Sequence, residues 1–284
     1  MLVANREDGY RIVTQNEHAA MAGRFADHWG NERFDAPNPT AAMRAAGYTH
    51  DNGWWTWDLY PHLGTDGAPI NLFEVPAAKW EQFYEVGIEN AVTMDPYVGL
   101  LVSMHGSGVR RRRYGTAPSM PDRSEEYAAF IAREESRQRR LAGDLRGSDR
   151  YGAFVTDGAV EMLDTLHETG GYGGDNALWR GYCLLQFWDR LALHCCLPAR
   201  LESATLGPVP VSSDDGTTDV DVAPEDGTTA ALDPYPFDVD PLVVSVRERT
   251  IPEREFVDET DLRSAFYEAD LRTTAFTLCA RDDD

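Results

Sequence analysis

Apolar residues recur at steps of three and four over several stretches of the chain, and each such stretch predicts a helix with one buried face. Residues 14–17, TQNE, have capping-box spacing, and Met21, Ala22, Phe25 and Trp29 carry the helix onward with His18 on or beside its apolar stripe. Two prolines, Pro37 and Pro39, precede a second helix in PNPTAAMRAAGYTHD, which ends near His50 and Asp51 before Gly53 breaks it. In DPYVGLLVSMHGSG, Asp95 is the expected N-cap and Pro96 the first helical residue. Gly106 and Gly108 read as stops, which puts His105 at that helix's C-terminus.

Residues 107–121 read as a basic, turn-rich loop, 122–146 as a charged amphipathic helix, and 157–168 as another helix. After GGYGG, Asp175 is positioned to cap NALWRGYCLLQFWDRLALHCC, which is apolar on nearly every side, as a central helix should be, with Asp189 in its middle. VANREDGYRIVT reads as a short N-terminal hairpin. From about residue 200 the pattern changes to valine and threonine runs separated by Asp, Gly and Pro, which predicts antiparallel strands. No internal repeat occurs. The expected fold is mainly α: a helical domain over 1–199 that includes the N-terminal hairpin, with a β-rich appendage at 200–284 packed on it.

Charge narrows the possible partners. The 284-residue chain carries a net charge of −22, and Lys79 is its only lysine. An acidic, lysine-poor surface suggests a halophile's protein, hydrated by carboxylates and screened by salt, and it is expected to repel nucleic acid. The four cysteines show no CxxC spacing, the N-terminus lacks a basic flank followed by an apolar run, and Arg180, Asp189 and Arg190 interrupt the most apolar stretch. Reduced thiols, a cytoplasmic location and no membrane span are therefore expected, with a small-molecule substrate as the partner and a homo-oligomer left open. GxSxG, GxGxxG and HExxH motifs are all missing, and GGYGG lacks the Lys-Ser/Thr of a phosphate loop.

His18, His50, Asp51, His105 and Asp189 are the polar residues expected on otherwise buried helical faces. Imidazole and carboxylate are ligands for zinc, iron or manganese, and a buried aspartate needs a cation or several donors. Singly, His18 reads equally well as a core-edge histidine and His105 as a complement to a helix dipole; the joint pattern points to one or two divalent transition-metal ions. Trp54, Trp55 and Trp57 are either the wall of a ligand pocket or packed core. Arg110, Arg111, Arg112 and Arg113 offer forked donors for a phosphate or carboxylate, or else pair with surface acids.

The order His18, His50-Asp51, then Asp189 within FWDRLAL resembles the HD superfamily of metal-dependent phosphohydrolases over roughly residues 14–196. THDNGW, with PYPF at 234–237, is also similar to a haloarchaeal domain-of-unknown-function family built on an HD-like core. The resemblance implies an HD-like helical bundle in which His18, His50, Asp51 and Asp189 bind metal, with His105 matching an extra histidine of two-metal members. Trp54 stands where many members have a lysine in His-Asp-x-Gly-Lys, and the arginine run is the available substitute cation. The implied function is hydrolysis of a small phosphorylated or nucleotide substrate, with Asp51 or Asp58 assisting proton transfer. The alternatives are an HD-type di-iron oxygenase of a small molecule and a non-catalytic ligand-binding or stress-related module.

Overall fold

The computed structural model describes residues 1–198, 200–212 and 216–281; the expected boundary at residue 199 lies outside them. Strands β1 (Leu2–Arg6) and β2 (Gly9–Val13) form the N-terminal hairpin. Helix α1 (Gln15–His28) follows, with the Thr14 hydroxyl accepting from the Glu17 backbone N–H as the capping pattern predicts. Next come α2 (Thr40–Thr49), a 3-10 turn at Asn52–Trp54, α3 (Trp55–Asp58), a second 3-10 turn at Leu72–Glu74, and α4 (Ala77–Met94).

Helix α5 (Pro96–Arg110) starts at the Asp95 cap but runs through both glycines read as stops. A Cβ at Gly106 would lie 2.7 Å from the Tyr84 ring, and one at Gly108 would lie 2.2 Å from the Tyr182 hydroxyl. These glycines admit neighbouring side chains to α5 and do not end it, so His105 sits inside the helix. A 3-10 turn at Arg112–Gly115, α6 (Ala128–Arg146), α7 (Asp157–Thr169) and α8 (Ala177–Cys196) complete the helical part. The cap of α8 is Asn176, whose side chain accepts from the Trp179 N–H, where Asp175 was expected.

The strands that follow overturn the expectation of a mainly α, HD-like bundle with a small β appendage. They are β3 (Ala204–Pro210), β4 (Thr217–Pro224), β5 (Thr229–Asp233), β6 (Leu242–Ile251) and β7 (Arg272–Ala280), with α9 (Glu259–Glu268) between the last two. Together with the N-terminal hairpin they form one seven-stranded mixed sheet, ordered β1-β2-β6-β7-β5-β4-β3, curled into a half-barrel beside a chain that is about half helical. Every neighbouring pair is antiparallel except β5 and β7. The join between the two ends of the chain is β2 on β6, where Tyr10 faces Ile251 and Ile12 faces Arg249.

The sheet packs α1 against β6 and α8 against β3, so it backs two helices of the candidate site. Arg11 on β2 reinforces this join. Its guanidinium is buried, holds Glu248 of β6 at 2.5 Å and donates to the Cys196 carbonyl at the end of α8 at 2.7 Å. Arg11→Ala would leave the buried Glu248 carboxylate short of its cation and the α8 terminus uncapped, so chemical denaturation should show a loss of about 3–5 kcal/mol. A loss under about 1 kcal/mol would mean that Arg6, 3.5 Å from Glu248, already compensates it.

Among the described residues no helix is long and apolar enough to cross a membrane. Cys183, Cys195 and Cys196 are buried free thiols.

Candidate metal centre

Four of the residues singled out on buried helical faces meet in the interior. His18 lies one turn into α1, His50 caps α2, Asp51 begins the turn after it, and Asp189 comes from the middle of α8. All four are almost fully buried. One ligand atom from each lies within 4.8 Å of the others. His18 Nε2 is 2.9 Å from Asp189 Oδ1, 3.3 Å from His50 Nε2 and 3.7 Å from Asp51 Oδ2. His50 Nε2 is 3.4 Å from Asp189 Oδ1 and 3.5 Å from Asp51 Oδ2.

Those spacings suit one transition-metal ion. Ligands about 2.0–2.2 Å from a metal stand about 3.3–3.6 Å apart in a tetrahedron and about 2.8–3.1 Å apart at neighbouring octahedral positions. His50 Nδ1 donates to the Gly47 carbonyl at 2.9 Å, so Nε2 is the nitrogen that faces the cluster and would bind a metal on losing its proton. Burial pushes the His50 imidazole pKa down, but Asp51, Asp189 and the Gly47 carbonyl outweigh it and hold the ring up at about 9. Burial also raises Asp189, yet Arg113 and the His18 and His50 rings overcome this and keep its carboxyl well below the usual range. Two buried carboxylates thus draw positive charge into the cluster.

Local backbone chemistry aims these side chains. A Cβ at Gly53 would lie 1.9 Å from the Phe83 carbonyl oxygen, and one at Gly87 would lie 3.1 Å from the Gly53 nitrogen. The two glycines bring the turn after Asp51 against α4, close enough for the Tyr84 hydroxyl to donate to Asp51 Oδ1 at 3.0 Å. Gln15 Nε2 donates to Asp51 Oδ2 at 3.1 Å. His105 stacks edge-on against His50 outside the group of four, and both its nitrogens have protein partners. Gln186 Nε2 donates to its Nδ1 at 3.0 Å, so its Nε2–H faces the Tyr84 oxygen at 3.3 Å. Burial pushes the His105 imidazole well below its ordinary pKa and so keeps the ring neutral.

The four arginines do not act as one patch. Arg110 stacks on Trp80 and Tyr127, Arg111 pairs with Glu135 and bonds the His167 carbonyl, and Arg112 is exposed near Asp122. Arg113 turns inward. Its Nη1 lies 2.6 Å from Asp189 Oδ2 and donates to Gln186 Oε1 at 2.5 Å. The cause is an unusual backbone: Arg112, Arg113 and Tyr114 have φ of 50°, 53° and 51°, a left-handed turn without a glycine among the three. Such a turn costs about 1–2 kcal/mol per residue, and strain of this kind persists where surrounding contacts over-determine it. Here Arg113 is held by Asp189 and Gln186, and the Tyr114 hydroxyl donates to Ser107 at 2.8 Å.

Asp58 and Trp54 stand beside the centre and do not line its cavity. Asp58 takes the Met1 ammonium at 2.8 Å and the Gln15 backbone N–H. Trp54 packs on Phe83 and Tyr84 as core, Trp55 is exposed, and Trp57 stacks on His62. The cavity measures about 700 Å³ and reaches Asp51, Tyr84, His105, Arg113 and Asp189. Gln15, Tyr84 and Gln186 are the site residues that the sequence reading missed. Gln15 and Gln186 each lie three residues before a cluster member, His18 and Asp189, and that i,i+3 spacing was the available signal.

No curated protein and no solved structure matches the chain. A family profile described as a protein of unknown function, DUF3891, matches residues 1–253, and it names neither an HD core nor a source organism. Because the match spans most of its 284 residues, the chain belongs to the DUF3891 family.

Proposed function

We propose that this protein is a metal-dependent hydrolase of a small phosphate ester, with His18, His50, Asp51 and Asp189 as the metal ligands. The observation that carries the reading is the convergence of four buried donor atoms at ligand spacing, with Asp51 and Asp189 facing a cavity that also exposes a buried arginine. The His, His-Asp, Asp order that resembles the HD superfamily's ligand set supports it independently of the overall fold. A divalent transition metal bound there would supply Lewis acidity and a water of lowered pKa.

The chain's own groups have separable roles. Tyr84 donates to Asp51 Oδ1 and Gln15 to Oδ2, so the carboxylate is fixed in orientation and the phenol stays protonated, with its pKa raised first by burial and then by Asp51. Arg113 pairs with Asp189, and from Arg113 a hydrogen-bonded line through Gln186, His105 and Tyr84 runs to Asp51, which locks the neutral tautomer of His105. Arg113 lines the cavity beside Asp189, so its guanidinium is the cation this reading assigns to a phosphate oxygen. Arg113 thereby takes the place of the lysine missing at Trp54. With both His105 nitrogens engaged, a single ion is the simpler reading, and the di-iron oxygenase alternative gains no support.

The test is phosphate release from a panel of phosphomonoesters by metal-stripped protein reloaded with Mn²⁺, Fe²⁺ or Zn²⁺. Release should depend on the metal and fall at least 100-fold in Asp51→Asn. Fully loaded protein that releases no phosphate from any ester would favour a binding module instead.

A further inference from the structure

The character of the cavity walls narrows the substrate, on the premise that the proposed hydrolase reading is right. We infer that the cavity takes an aliphatic phosphate ester, an anionic head at Arg113 with an alkyl body along the walls, and disfavours nucleotides. The walls are aliphatic: Leu72, Val75, Val109, Leu193, Leu197 and Leu206 line it from the loop before α4, from α5, from α8 and its end, and from β3. Leu72, Val109, Leu193 and Leu197 are only partly buried, although each packs against the main core. Apolar side chains left uncovered inside a cavity, among otherwise dense packing, mark a surface that an apolar ligand would cover.

Aromatic stacking, a common way to hold a nucleobase, finds no free face on Trp80 or Tyr84, the large rings of the cavity's interior. Tyr84 stacks on Trp80 with centroids 4.1 Å apart, and the Arg110 guanidinium carbon lies 3.7 Å from the Trp80 centroid. Two groups that close to one ring must occupy opposite faces. Tyr84 has Trp80 on one side and His105, 6.0 Å away and nearly parallel, on the other. The remaining large aromatic side chain of the lining, Phe73, is 66% exposed and so lies at the rim.

Charge and size complete the description. Arg110 stacks on rings and, among the described residues, has no ion pair on its guanidinium, and Arg190 is held by the Thr116 and Gly207 carbonyls; both line the cavity. Arg110 Nε, like Arg113 Nε, is buried without a partner. Four arginines against three carboxylates, Asp51, Asp189 and Glu202, line the cavity, and in a chain of net charge −22 such a balance is far less acidic than the rest of the surface, which suits an amphipathic anion once a metal occupies the carboxylates. At about 30 Å³ per non-hydrogen atom, 700 Å³ holds a phosphate and an alkyl chain of more than eight carbons.

The experiment is calorimetric binding of methylphosphonate, butylphosphonate, octylphosphonate and adenosine monophosphate to the metal-loaded full chain, paired with phosphate release from octyl phosphate and adenosine monophosphate. Octylphosphonate should bind at least tenfold more tightly than methylphosphonate and than the nucleotide, because each buried methylene adds to affinity. Leu193→Gln should reduce the octyl advantage and leave methylphosphonate affinity unchanged. Affinity that does not rise with chain length, or a nucleotide that binds as tightly as octylphosphonate, overturns the inference. Phosphate released from the nucleotide without a chain-length gain would sink the inference and leave the hydrolase reading standing. A chain-length gain without phosphate release from octyl phosphate would support the alkyl pocket and reject the hydrolase.

Discussion

Asp189→Asn should lower metal affinity at least 100-fold while the chain stays folded. The amide keeps the shape of the carboxylate but removes its charge, and Asp189 Oδ1 is the atom nearest His18 Nε2, at 2.9 Å. A set of four that loses one anionic member loses both charge neutralisation and geometry. The change also removes the negative charge that pairs with Arg113, so some loss of stability should accompany it, and circular dichroism must confirm folding before affinities are compared. Calorimetric titration of metal-stripped protein reads the effect. Unchanged affinity in a folded variant would place Asp189 outside the metal site and make it a partner of Arg113 alone.

Arg113→Met should destabilise the metal-free protein by about 3–5 kcal/mol in chemical denaturation, because removing one member of a buried ion pair leaves the other charge uncompensated. Both partners are about 3% exposed, so water cannot take over. The left-handed turn offers no relief, since methionine has the same Cβ and Arg112 and Tyr114 keep their positive φ. Bound divalent metal supplies positive charge on the opposite side of Asp189, so the deficit should shrink in metal-loaded protein. An equal deficit with and without metal would show that Arg113 and the metal do not share Asp189.

Much of this centre was legible in the sequence because it is written in charge. A histidine or aspartate on an otherwise apolar helical face stands out, and that signal marks His18, His50, Asp51 and Asp189 but equally His105, which lies outside the group of four. Caps were legible for a related reason: Thr14 and Asp95 act through neighbours two or three residues away, and such bonds leave a local signature. Gln15, Tyr84 and Gln186 went unnoticed because an uncharged polar side chain carries little cost that a sequence reading can see. Tyr84 also lies on α4, a helix that the pattern reading passed over.

The sheet was misread because its decisive pairing is non-local. Each strand's alternation is visible by itself, as in the in-out burial of β6, but nothing in that alternation tells β2 that its partner lies some 240 residues away. A hairpin at one end and strands at the other therefore looked like two separate β pieces. The arginine run divides between its two readings: Arg111 and Arg112 lie against Glu135 and Asp122, whereas a left-handed turn sends Arg113 inward to Asp189. Only the turn's last residue, Gly115, is the kind of residue that normally announces positive φ; the three before it are not.

The central claim is that these four residues hold a metal. Its most direct test is the metal-to-chain ratio by elemental analysis, for the parent and His50→Ala, each purified without a histidine tag, stripped, reloaded and desalted. A metal centre predicts a tightly held ion in the parent and a large loss in His50→Ala at equal folding. Equal metal in the two proteins, or none retained by either, would contradict it.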